Sequence, residues 1–408
     1  MPKYLNPLRK ESGRLAAWYL FVQLGRPWEN DYERFENILF RAVIRHSSLY
    51  KKVAIPKRGK GKRMLLIPCA DLMFLQRLIN KSILMGESEH PNSYGFSGGN
   101  VRQALQRVVE AKQPIFTADV YGAFPHTFGE TVFNIFHDLG YGFYSSYYLT
   151  CLTTWPKINV GELPQGAPTS PRLFDMAFEP LDNKLSKLAK RVGGVYVRYA
   201  DNLFFTAPTF WPPQVIKEYV EGETPFIDGW GNHGVKNHQV SFKTIPEGIE
   251  SYHFERGACY WHSPLISAIF HIVANGYVRK PKIKWTSKYW KFCAEQNYYL
   301  HKAFLADPDK VFHALGLNII DGQLHNQRRF KKRLRMTIYN LQKALANKDP
   351  FEAIVWPLYL QAQGMMNWAI EETLPQALLE QWAYLDYHVY EIRYANPSGT
   401  WKGEITDY

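Results

Sequence analysis

The chain has 408 residues, a formal net charge of +12, 15% aromatic residues and four cysteines. That length suffices for substantial cores and two or three subdomains, which excludes a small disulfide-held scaffold; Cys69, Cys151, Cys259 and Cys293 are far apart, lack a paired zinc-ligand spacing and read as reduced thiols of a cytoplasmic protein. The positive charge suits a polyanionic partner, and with no leader pattern and no long uncharged apolar run, no membrane span is expected.

In chain order, residues 1–48 read as a mostly helical extension, with Leu20, Phe21, Leu24, Phe35, Ile38, Leu39 and Val43 on apolar faces. Residues 49–110 read as a strand pair followed by helices. The stretch 44–63 holds Arg45, Lys51, Lys52, Lys57, Arg58, Lys60, Lys62 and Arg63 and no acid. Ile115-Phe116-Thr117-Ala118-Asp119-Val120 is an apolar strand ending in a carboxylate, and Tyr121-Gly122-Ala123-Phe124-Pro125 breaks it.

Further on, LPQGAPTSP (163–171) is a stiff loop in which Ser170 suits a helix N-cap and Pro171 a first helical residue. Leu173, Phe174, Ala177, Phe178, Leu181, Leu185 and Leu188 then form a helical stripe. A loop and a capped core helix give no reason for Gln165-Gly166; a glycine there lets another molecule approach the backbone closely.

VRYADNLFF (197–205) reads as a β-hairpin: β-branched and aromatic runs flank Ala200-Asp201-Asn202, and Asp and Asn suit turns. Such a hairpin taken alone is commonly structural. Paired with Asp119, 82 residues earlier, it offers two carboxylates at strand ends that can meet on one sheet edge. Magnesium binds through one or two carboxylates plus substrate phosphates, so this donor set can serve nucleotidyl transfer.

Residues 207–236, rich in Pro, Gly, Trp and Asn, read as a connection or insertion. Trp285, Tyr289, Trp290, Tyr298 and Tyr299 interleave with Lys282, Lys284, Lys288 and Lys291; this is either a base-stacking surface or a helix with an aromatic buried face. Residues 285–375 read as helices, and RRFKKRLR (328–335) is dense enough for one helix face to track phosphates through Arg328, Arg329, Lys331, Lys332 and Arg335. After residue 346, nine acids outnumber three bases, so the tail is not expected to hold nucleic acid. Residues 376–408 read as a helix and a loose end at Pro397-Ser398-Gly399.

In this order, IFTADVYGAF, LPQGAPTSP and VRYADNLFF resemble the palm motifs of reverse transcriptases, especially the bacterial retron, group II intron and defence-associated groups. Ile55-Pro56-Lys57, Gly61-Lys62-Arg63, Leu66-Ile67-Pro68, Leu75-Gln76-Arg77 and Tyr94-Gly95-Phe96 resemble the fingers blocks, and Gly364-Met365-Met366-Asn367-Trp368 the thumb. The resemblance implies an α+β right-hand polymerase with an antiparallel palm sheet and a helical thumb. Its parts would be an N-terminal extension (1–48), fingers (49–110 and 125–160), palm (111–280), thumb (285–375) and tail (376–408). No ribonuclease H or endonuclease domain is expected in the remaining length.

The resemblance also implies roles. Asp119 and Asp201 match the two metal-ligating aspartates, with the Val120 carbonyl assisting. Phe124 matches the gate that excludes a ribose 2′-hydroxyl, although a core Phe is the plainer reading. Gln165 and Gly166 match residues lining the templating base and incoming nucleotide. Lys57 and Arg63 match cations gripping the triphosphate, a task that suits guanidinium; a solvated basic loop is the alternative. Lys243, in Ser241-Phe242-Lys243-Thr244, matches the cation that protonates the leaving group. The cofactor implied is Mg2+, with Mn2+ as an alternative, and the partners are dNTPs, a noncoding RNA template and a DNA product, with homo- or hetero-oligomers left open.

The departure is Asn202, where the family's turn carries a second Asp. Asn keeps a carbonyl oxygen but loses the charge, which implies weaker metal affinity or an altered metal preference. The expected function is RNA-directed DNA polymerisation in antiphage defence. The alternatives are a weakened palm-fold scaffold that binds RNA, and template-independent or protein-primed synthesis.

Overall fold

The computed structural model describes residues 11–44, 47–56, 61–87, 89–96, 99–155, 161–210, 252–253, 264–275, 298, 300–306, 312–320 and 322–395. They fall into two units, Met1–Asp307 and Pro308–Tyr408.

The first unit opens with helices α1 (Glu11–Gln23) and α2 (Tyr32–Val43). Leu20, Phe21, Leu24, Phe35, Ile38, Leu39 and Val43 are all buried, as the apolar spacing implies. Asp31 starts α2 by accepting the Arg34 backbone N–H at 2.9 Å. The expected strand pair follows as an antiparallel hairpin of β1 (Tyr50–Pro56) and β2 (Lys62–Pro68), in register from Tyr50 opposite Pro68 to Pro56 opposite Lys62. Next come α3 (Ala70–Ile79) and α4 (Val101–Glu110), the latter begun by a reciprocal capping box between Asn100 and Gln103.

The centre of this unit is an antiparallel five-stranded sheet of β3 (Ile115–Val120), β4 (Tyr196–Tyr199), β5 (Asn202–Thr206), β6 (Tyr252–His253) and β7 (Leu300–Ala306), in the order β4-β5-β3-β7-β6. Helices α5 (Gly129–Asp138), α6 (Phe143–Thr153), α7 (Ser170–Arg191) and α8 (Pro264–Asn275) complete the unit. The period of two in β3 divides its side chains. Phe116, Ala118 and Val120 enter one core with Tyr196, Leu203 and Phe205, and with Leu173, Phe174, Phe178 and Leu181 of α7. Burying each such Phe contributes about 1.5–3 kcal/mol. The alternation sends Ile115, Thr117 and Asp119 to the other face, and α4 packs against β4 and β5.

The second unit begins with an antiparallel meander of β8 (Phe312–Ala314), β9 (Leu317–Ile320) and β10 (Gln323–Asn326). Helices α9 (Arg328–Ala346), α10 (Trp356–Trp368) and α11 (Gln376–Ala395) follow. They close over Leu334, Ile338, Leu341, Val355, Tyr359, Met366, Leu385 and Val389.

The architecture is the α+β arrangement with an antiparallel sheet that the sequence implies. One reading needs correction: residues 285–375 are not helical throughout. Leu300–Ala306 is a strand of the five-stranded sheet, beyond the expected boundary at 280, and three more strands precede α9. The reason is local. Ala314 pairs with Leu317, so Leu315-Gly316 is a two-residue loop with φ of 48° and 88°. Positive φ at both loop residues is the primed-turn geometry that joins two strands. Tyr298 is also core: it is fully buried, its ring packs on Phe174 and Phe178, and its hydroxyl lies 2.8 Å from Thr127 Oγ1. Trp285, Tyr289, Trp290 and Tyr299 lie outside the described residues. Among the described residues, no helix is long and apolar enough to cross a membrane.

Candidate active site

The sheet brings the two predicted carboxylates together. Tyr199 pairs with Asn202 across β4 and β5, leaving Ala200-Asp201 as a two-residue loop. Asp119 on β3 stands opposite Asn202 on β5 in the same register. The Val120 N–H donates to the Asp201 carbonyl at 2.7 Å, fastening the hairpin tip to the end of β3. Asp119 is half-buried and Asp201 exposed. Asn202 turns inward within the pair, its Nδ2 donating to Asp201 Oδ1 at 3.1 Å.

The tip is strained and braced. Ala200 has φ of 54°, a left-handed conformation that costs an L-residue about 1–2 kcal/mol. Segment 92–95 runs alongside: Arg198 N–H donates to Asn92 O at 2.7 Å, and Tyr94 N–H to Arg198 O at 2.9 Å. Gly95 then lies so close that a Cβ there would stand 2.0 Å from the Ala200 nitrogen. Only glycine fits that contact.

A carboxylate on β3 and a second on the neighbouring hairpin loop, with the Asn202 amide beside them, form an oxygen donor set suited to Mg2+ or Mn2+. Among the described residues no group of three or more His, Cys, Asp and Glu forms a closed metal cage. An open set of this kind fits a cation that also takes substrate phosphates and water. Asp119, Asp201 and Asn202 would hold it.

The Gln165-Gly166 loop is docked on the β1–β2 hairpin. Leu66 N–H of β2 donates to Gln165 O at 2.7 Å. Gly166 is exposed at φ 117°, a conformation that favours glycine. Ser170 is not the N-cap: it is the first residue of α7, and its hydroxyl donates to Pro164 O at 2.7 Å, holding the loop closed. Phe124 is half-buried, with ring centroids 6.1 Å from Phe96 and 5.8 Å from Phe174. It is therefore packed on two sides, as the core reading implies, while the ring keeps part of its surface exposed. Arg63 is exposed on β2, opposite Ile55. Lys57 and Lys243 lie outside the described residues.

The sequence reading missed the group beneath the turn. Arg198 is fully buried. Its Nε and Nη2 reach Asp182 at 2.9 and 2.7 Å, and its Nη1 donates to Asp175 Oδ1 at 2.8 Å and to the Ala200 carbonyl at 2.9 Å. Tyr196 Oη donates to Asp182 at 2.6 Å and Ser93 Oγ to Asp175 at 3.1 Å. Phe174 and Phe178 cover the guanidinium at 5.4 and 5.0 Å. Burial alone would lower the Arg198 pKa, but Asp182 and Asp175 hold it well above the ordinary arginine value. Burial, and then the Asp182 charge, push the Tyr196 phenol well above its usual range. The available signal was a lone arginine in an apolar strand, with Asp175 and Asp182 seven apart inside an otherwise apolar helical stripe.

In the second unit, the apolar stripe of α9 is buried, and Arg328, Arg329, Lys332 and Arg335 are exposed. Lys331 differs from them: its ammonium donates to the Thr373 carbonyl within the unit.

A strand-borne aspartate, an acidic hairpin tip and a glycine loop docked on a β-hairpin are the parts expected of a polymerase palm. Residues 55–216, which contain all three, match the family described as reverse transcriptase (RNA-dependent DNA polymerase). The relatives are of the prokaryotic retron type. The chain is 29% identical to the retron Ec86 reverse transcriptase of Escherichia coli over 213 residues, 50% of this chain and 62% of that protein. It is 31% identical to the retron Mx65 reverse transcriptase of Myxococcus xanthus over 180 residues, 41% of this chain and 42% of that one. The chain thus spans less than two thirds of the length of these relatives. A foamy viral protease-reverse transcriptase, solved in complex with RNA/DNA hybrid, is 16% identical with a TM-score of 0.33, covering 83% of this chain and 33% of that one.

Proposed function

We propose that the chain is an RNA-directed DNA polymerase that extends a DNA product on an RNA template by two-metal nucleotidyl transfer. The observation that carries this reading is the register of Asp119 opposite Asn202, with Asp201 tied by its carbonyl to the Val120 N–H. That arrangement holds two carboxylates at one sheet end without any substrate. When bound there, divalent ions supply an activated 3′-hydroxyl and charge neutralisation on the leaving pyrophosphate. The chain's own groups do the rest. Asp119 and Asp201, with the Val120 carbonyl, fix the cation positions. Phe124 presses on the deoxyribose, Gln165 and Gly166 flank the nascent base pair, and Arg63 with Lys57 grips the triphosphate. Lys243 donates a proton to the departing group, and Arg328, Arg329, Lys332 and Arg335 meet the template–product backbone. The basic composition supports nucleic acid as partner. A dedicated noncoding RNA as template and a role in bacterial antiphage defence belong to the same proposal and rest only on the resemblance of the motifs.

The test is incorporation of labelled deoxynucleotides by the purified chain on a primed RNA template with Mg2+ or Mn2+. Synthesis should stop when the metal is chelated, and ribonucleotides should be incorporated poorly. No incorporation with either metal on any primed template removes the polymerase reading.

Asn202 favours a second reading, a weakened palm that serves as an RNA-binding scaffold. Here it donates to the carboxylate that would ligate metal, instead of adding a second negative charge. If the site is a working one, Asn202→Asp should raise synthesis at limiting Mg2+ several-fold, measured as the Mg2+ concentration for half-maximal rate. Wild type and mutant both inert, yet both binding RNA tightly, would select the scaffold.

A further inference from the structure

The Arg198 cluster lies under the site, outside any role assigned so far. Arg198 sits in β4, three residues before Asp201, and its side chain is fully buried. Two features separate it from an ordinary buried ion pair. First, its charge is already matched by Asp182, which takes Nε and Nη2 as a fork. Second, the remaining Nη1 divides between Asp175 and the carbonyl of Ala200, the strained residue that precedes Asp201. Asp175 and Asp182 both belong to α7, whose first residue closes the Gln165-Gly166 loop through Pro164. One guanidinium thus ties the turn to the helix that begins at the nucleotide loop.

We propose that Arg198 is a positioning residue for Asp201: by holding the Ala200 carbonyl from a frame set by Asp182 and Asp175, it fixes the left-handed turn and hence the place of the carboxylate. This rests on the reading of Asp201 as a metal ligand. A residue that orients a ligand in this way typically changes metal affinity 10- to about 100-fold when lost. Lysine is the informative replacement. It keeps the positive charge between the two aspartates but lacks the fork that reaches Asp182 and Ala200 together.

The experiment is Mn2+ titration followed by electron paramagnetic resonance, on full-length wild type, Arg198→Lys, Asp201→Ala and the double variant, each checked by circular dichroism and thermal melting. Arg198→Lys should bind Mn2+ about tenfold or more weakly. In the Asp201→Ala background the same change should have little further effect, because its influence passes through Asp201. A folded Arg198→Lys with wild-type Mn2+ affinity overturns the proposal, and so does a loss that adds fully to that of Asp201→Ala. Should Arg198→Lys not fold, Asp175→Asn takes its place: it leaves the Asp182 fork intact and weakens the contacts that Nη1 and Ser93 Oγ make with residue 175, and the same two outcomes apply. Primer extension on the same samples separates the two readings. Mn2+ binding that depends on Asp201 and Arg198 without synthesis leaves the positioning role standing and removes the polymerase; synthesis indifferent to Arg198 does the reverse.

Discussion

Asp201→Ala is expected to lower templated deoxynucleotide incorporation by about 10³-fold, with the melting temperature nearly unchanged. The two halves of this expectation have separate causes. Asp201 is exposed at the hairpin tip, and what fastens the tip is backbone: its carbonyl receives the Val120 N–H at 2.7 Å. Truncating the side chain leaves that bond in place, so the change is a surface substitution worth about 0.5 kcal/mol or less. It also removes one of the two carboxylates that the β3–β5 register brings together. A second cation-binding group does not replace it: Asn202 is neutral and would lose the partner its amide now holds. Primer extension over a range of Mg2+ and Mn2+ concentrations, beside thermal melting, measures both effects. Full synthesis by a folded Asp201→Ala protein would remove the proposed mechanism.

Gly95→Ala should cost about 10²-fold in synthesis even though residue 95 lies in the supporting segment and not on the elements that carry Asp119 and Asp201. A Cβ at Gly95 would stand 2.0 Å from the Ala200 nitrogen and 2.6 Å from its Cα. Both atoms belong to backbone, so no side chain can swing aside. Either segment 92–95 peels away from Arg198 or the turn moves, and Asp201 is the next residue. A shift of about 1 Å in a catalytic group is enough for a loss of this size. The stability cost of forced overpacking is about 1–3 kcal/mol, so the protein should still fold. Gly86→Ala is the control, since a Cβ there meets nothing within 4 Å. Rates and melting temperatures of the two variants should diverge, with only Gly95→Ala losing most of its activity. Equal activity in both would show that the turn does not depend on this contact.

Much of the site was legible because it is local. Each predicted aspartate ends or follows an apolar strand, and within each motif the strand period and the turn residues lie within about ten residues of one another. The apolar stripe of 170–191 was legible for the same reason. Ser170 was misplaced by one position: the helix begins at Ser170 itself, and its hydroxyl turns back to donate to the Pro164 carbonyl. The strands between 300 and 326 were missed because a short strand is specified by its turns and its neighbours. Leu300–Ala306 gains its conformation from pairing with β3, some 185 residues away. Lys331 was grouped with its basic neighbours by sequence, and only the fold places Thr373 within its reach.

Residue order alone carries the chemistry on offer: two carboxylates at strand ends, an asparagine in place of a third acid, a glycine loop, and a basic chain suited to a polyanion. Local propensity and hydrophobic period are enough for that, since they act over one or two turns of chain. Where the carboxylates stand is set by the fold. Asp119 faces Asn202 through a cross-strand register, Gly95 backs Ala200 at a distance that admits no side chain, and Arg198 draws Asp175 and Asp182 from another element to hold the turn. A buried guanidinium must find its counter-charges wherever the packed chain provides them. That requirement is met across the fold, through contacts that no window of sequence contains.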